Sequence, residues 1–125
     1  MASSNTAKLA TDKISSASFD YTPKFASIAA ASSGTNELVA AVASKKIRVV
    51  SLFLIAAGTV NAYFEDDANT ALAGDGTNKI ALIASSGFSL NFNPVGWFET
   101  GSGQALEVNL SAATAVAGSV TYIEV

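Results

Sequence analysis

From residue 25 onward the apolar positions come in short runs, most alternating with polar ones, and small turn residues divide the runs. A period of two is the mark of a strand with one dry face, so the pattern predicts strands over 25–31, 37–42, 47–57, 59–65, 79–84, 88–93, 104–110 and 116–125. Leu106, Val108 and Leu110 face inward on this reading, as do Val60, Ala62 and Phe64, while Tyr63 faces water. Gly118 interrupts the last strand and marks a bulge or a close backbone contact. Residues 36–44 also suit a helix by composition, but their shortness among strands favours a strand. Turns about every eight to twelve residues, with no convincing helix between them, predict an all-β chain: a single antiparallel β-sandwich, jelly-roll-like.

Two stretches stand out. In 47–57 both faces look apolar, with Ile47, Val49, Phe53 and Ile55 on one and Val50, Leu52 and Leu54 on the other. A strand dry on both sides needs cover on both, so one face is expected in the core and the other against a second subunit. The second stretch, 91–100, carries the only tryptophan. There Pro94 ends the strand that holds Phe88, Leu90 and Phe92, Gly96 relaxes the corner, and Trp97 and Phe98 are expected to plug the end of the sandwich.

The first 24 residues, rich in Ser, Ala and Thr, show no sustained period, and the sandwich domain is expected over 25–125. Ile14, Phe19 and Tyr21 are their scattered anchors, so the segment is either an extended arm docked on another surface or a loose tail.

Composition narrows the function. Charged residues make up 14% of the chain and hydrophobic ones 50%, which suggests that a partner covers part of the surface. A net charge of -3 with seven basic residues argues against nucleic-acid binding. The basic cluster Lys45, Lys46 and Arg48 is expected to be a solvated strand entry rather than a functional patch. Without cysteine or histidine, disulfides, thiol nucleophiles and Ser-His-Asp triads are excluded. The N-terminal residues lack the apolar core of a signal peptide, and the most apolar run is too short to cross a bilayer as a helix. The expectation is a protein made and kept in the cytoplasm, unless something else carries it out, with no membrane partner.

Candidate chemistry is confined to carboxylates. Glu65, Asp66, Asp67, Asn69 and Asp75 offer oxygen ligands to a hard cation, but their spacing does not match a calcium loop, and a solvated turn is the preferred reading. Glu65, Glu99 and Glu107 are the acids available for glycoside hydrolysis, which would need a cleft that so small a sandwich scarcely accommodates. No catalytic residue, metal or cofactor is therefore expected.

Residues 46–52 (Lys-Ile-Arg-Val-Val-Ser-Leu), 92–100 (Phe-Asn-Pro-Val-Gly-Trp-Phe-Glu-Thr), 103–113 and 120–125 (Val-Thr-Tyr-Ile-Glu-Val) appear in an order that resembles small structural proteins of tailed bacteriophages. The resemblance runs from about Lys46 to the end of the chain. It implies a non-enzymatic virion component, a decoration or cement protein that clusters as a homotrimer on the outside of the capsid and binds the major capsid protein. On that reading Val50, Leu52, Phe53 and Leu54 serve sheet packing and the subunit seam, Trp97 and Phe98 the corner, and Ile14, Phe19 and Tyr21 the capsid-contacting arm. The competing expectation is a tail or fibre module that binds host carbohydrate through loops around Tyr63 or Asp75.

Overall fold

A computed structural model describes residues 21–125, in which there are ten strands and no helix. They are β1 (Lys24–Ala30), β2 (Gly34–Val39), β3 (Ile47–Ala56), β4 (Val60–Asp66), β5 (Ala71–Ala73), β6 (Ile80–Leu82), β7 (Gly87–Leu90), β8 (Phe98–Glu99), β9 (Leu106–Leu110) and β10 (Val116–Glu124). Two antiparallel sheets share them. The first runs β1-β10-β3-β7, with β8 also on β3, and the second runs β2-β9-β4-β5, with β6 also on β4. Early and late strands are interleaved in each sheet and the chain crosses repeatedly between them, a jelly-roll-like sandwich. The far edge of each sheet is broken: β7 and β8 share one side of β3, and β5 and β6 share one side of β4.

The core is what the alternating strands put between the sheets. Ile47, Val49, Leu52, Leu54, Val116 and Val120 come from the first sheet, and Val60, Phe64, Leu106, Val108 and Leu110 from the second. At about 25 cal/mol per Å² of apolar area, such side chains each contribute about 1.5–3 kcal/mol on burial.

One register shift corrects the expected faces of β3. Thr121 opposes Ser51 and Tyr122 opposes Val49, so Val50 is an extra residue, a β-bulge. Alternation therefore restarts at the bulge. Ile47 and Val49 point the same way as Leu52, Leu54 and Ala56, all of them buried, whereas Phe53 and Ile55 point out. Leu52 and Leu54 are core residues and not part of an outward seam, and Val50 is fully buried without joining the main core cluster.

Glycines admit the centre of β3 between its neighbours. Gly118 on β10 and Gly87 on β7 flank it, and a Cβ on either would collide with the backbone of Phe53 or Leu54. The close contact expected at Gly118 is thus present, and Gly87 supplies its counterpart on the other side.

Other boundaries shift for local reasons. β2 occupies 34–39 rather than 37–42, because its ladder with β9 starts where Gly34 opposes Leu110. The chain then turns through Ser44, with φ 63°, and Lys45 N–H donates to the Val42 carbonyl at 3.0 Å. β7 ends at Leu90, so Phe92 lies outside the strand and is exposed.

Candidate interaction surface

The outward face of the first sheet can be read off its register. Ile55 lies between Ala117 and Gly87, and Phe53 between Ser119 and Ser89, with Ala29 and Ser27 one strand further out. Nearer the other end, Phe25, Thr121 and Ser51 form a third row. None of these residues is charged. Small neighbours leave the large side chains standing proud: Phe25 is 73% exposed, Ile55 53% and Phe53 52%. Apolar residues scattered singly on a surface are ordinary, but three on adjoining uncharged rows of one sheet form a patch.

The corner beside this face is built on the bulge. Asn93 N–H donates to the Val50 carbonyl and Trp97 N–H to the Val49 carbonyl, both at 2.8 Å. Asn93 closes its own turn by accepting from Val95 N–H through Oδ1 at 3.0 Å and from Gly96 N–H through its carbonyl at 2.9 Å. Gly96 is at φ 98° against the aliphatic part of Arg48, where a side chain would both strain the backbone and collide. Trp97 donates through Nε1 to the Asn91 carbonyl at 2.8 Å. It remains 46% exposed, so it does not plug the sandwich as expected; Phe98 does enter, its ring 5.2 Å from that of Phe64.

The second sheet presents the opposite character. Glu37, Glu107 and Glu65 are successive register partners across β2, β9 and β4. Glu65 accepts from Asn109 Nδ2 at 3.1 Å and Thr35 Oγ1 at 3.3 Å. Burial, then the charges of Glu65, Asp67, Glu37 and Asp66, push the Glu107 carboxyl above the usual range. The second sheet thus carries a row of acids, while the three rows named on the first sheet are free of charge, charged residues of that sheet such as Arg48 and Glu99 lying beyond them.

The acidic segment 65–75 is a solvated turn over 67–70, as its composition suggests, but Glu65 and Asp66 end β4 and are buried. Asp66 Oδ1 accepts from the N–H groups of Ala68 at 3.0 Å and Thr70 at 3.1 Å, and Oδ2 accepts from Gly101 N–H at 3.0 Å. Burial raises its pKa, but these backbone donors outweigh that and hold it below the ordinary value. Asp75 caps its own turn through the N–H groups of Thr77 and Asn78. Among the described residues no three acidic side chains are grouped so as to hold a metal ion. Glu99 sits on the other sheet from Glu65 and Glu107, paired with Arg48 at 2.7 Å and Lys46 at 3.3 Å. That pairing engages two of the three cations in the basic cluster.

Of the residues singled out in the sequence, Phe53 and Trp97 are exposed, Phe98 is half-buried, and Val50, Leu52 and Leu54 are buried. Tyr21 is exposed, while Ile14 and Phe19 lie outside the described residues. Sequence reasoning grouped Ile55 with Phe53 but missed Phe25, whose outward place depends on which parity of β1 pairs with β10. No family model, curated protein or solved structure matches this chain.

Proposed function

We propose that this protein is a non-enzymatic virion structural protein of a tailed bacteriophage, one that decorates and cements the outside of the capsid as a homotrimer. The observation that carries the proposal is the three uncharged rows on the outer face of the first sheet, with Phe53, Ile55 and Phe25 exposed on them. The order of motifs across 46–125 directs it to phage virions. In a chain of net charge -3, rows without carboxylates are where copies can approach each other or a shell with little like-charge repulsion, Glu99 on the same sheet being paired with Arg48 and Lys46.

The size of the face bears on the mode of binding. Four strands spaced about 4.8 Å and some seven residues long span roughly 400 Å². That is about half of what one partner contributes to a standard stable interface, about 800 Å². One such contact is weak; several, linked through a trimer, multiply into useful affinity.

The test mixes the purified full chain with empty phage heads and measures co-sedimentation and protection of the heads from heat. Phe53→Lys and Ile55→Lys place a charge on the face without touching the core, and each is expected to abolish binding while leaving the melting temperature of the isolated protein nearly unchanged. Failure of the wild-type protein to sediment with heads overturns the proposal, and glycan binding in its place would favour the carbohydrate-binding alternative.

A further inference from the structure

The broken far edges leave a slot between the sheets. Phe88 of β7, Phe98 of β8, Phe64 of β4, Ala73 of β5 and Trp97 are among the residues that line it. The slot has a volume of about 270 Å³, and every residue lining it is apolar or aromatic. The one side-chain N–H among them, Trp97 Nε1, is already donated to the Asn91 carbonyl.

We propose that this slot is a binding site for a small uncharged molecule with a hydrocarbon body. Its volume lies just under the range of small-molecule pockets, about 300–1,000 Å³, and is several times the roughly 30 Å³ that one water occupies in the liquid. Water there finds no free partner on the lining side chains, so an apolar occupant displaces it at little cost. A charged or multiply hydrogen-bonding ligand is disfavoured because nothing in the lining replaces its hydration. The slot lies between the sheets and not on the outer face of the first one, so this inference is independent of capsid binding.

Trp97 is the only tryptophan in the chain and reports directly on occupancy. Titration of the full-length protein with n-octanol is expected to give a saturable change in Trp97 emission. The corresponding α,ω-octanediol, which must bury a second hydroxyl without a partner, is expected to bind at least tenfold more weakly. Ala73→Leu fills the slot from β5 and is expected to weaken octanol binding at least tenfold while circular dichroism remains that of the wild type. Should that variant not fold, nuclear Overhauser contacts from octanol protons to the Trp97 and Phe88 rings of the wild type decide the matter. No saturable response in the wild type, an unchanged response in folded Ala73→Leu, or the absence of those ring contacts overturns the proposal.

Discussion

Replacing Glu107 by glutamine is expected to stabilise the protein at neutral pH, although it alters a buried residue in the middle of a sheet. Glu107 is 9% exposed and has Glu37 on one side and Glu65 on the other as direct register partners. Like charges directly opposite each other across strands cost about 0.2–1 kcal/mol per pair, so two neighbours cost about 0.4–2 kcal/mol before the desolvation of Glu107 is counted. Glu107→Gln removes both repulsions, keeps the shape, and adds an amide that can donate to Glu65. Near a domain of this size 1 kcal/mol moves the melting temperature by about 4 °C, so a rise of about 2–8 °C is expected at pH 7.

The pH dependence provides the stricter check. Because the Glu107 carboxyl is raised in the folded state, its protonated form favours folding. That favourable contribution is complete below the unfolded-state value, about 4.3, and is lost as pH rises through the raised folded value. Wild type and Glu107→Gln should therefore melt at nearly the same temperature near pH 3.5 and separate progressively as pH rises, the variant being the more stable. Thermal unfolding followed by circular dichroism from pH 3.5 to 8 measures this. A gap of equal size at both ends of that range, or a variant less stable than wild type at pH 7, would refute the account of the acidic row.

Two further outcomes follow from the same packing. Asp66→Ala leaves three backbone N–H groups without their carboxylate and is expected to cost about 2–4 kcal/mol, read from urea unfolding at pH 7. Asp66 is held below its ordinary pKa, so its contribution is complete above the unfolded-state value and lost as pH falls through the folded one; the loss on mutation should shrink in acid. Gly118→Ala drives a methyl group into the backbone of Phe53 and is expected to cost about 3 kcal/mol or more, visible as a lower urea midpoint or as insoluble protein, whereas Ala117→Ser, on the exposed neighbour, should change little.

Much of the framework is local and was therefore legible along the chain. Leu106, Val108 and Leu110 alternate with polar residues, and their inward direction follows wherever the strand sits, because side chains on a strand alternate with period two. Gly118, interrupting an apolar strand, announced a bulge or a close approach on the same terms, and the structure shows the close approach. The outward face of β3 was not legible, because it hangs on the partner's register: a single extra residue at Val50 reverses which of its neighbours point out. Along the chain Val50, Leu52, Phe53 and Leu54 could each serve packing or seam; in the sheet Val50, Leu52 and Leu54 are buried, and Phe53 with Ile55 forms the exposed ridge.

The polar features divide in the same way. That Asp75 would cap its own turn is a property of Asp near Gly and Asn, readable from neighbours in sequence. That Glu37, Glu107 and Glu65 meet in one row, or that Asp66 reaches Gly101, joins residues far apart in the chain and existed only once strand order was set. The amino-acid order alone determined that residues 25–125 form strands without helices and that the chain is short of charge and without thiol or imidazole chemistry. Only the pairing of strands decided which residues face outward, where the acids collect and where a slot opens, because side-chain direction is periodic within a strand while neighbourhood belongs to the sheet.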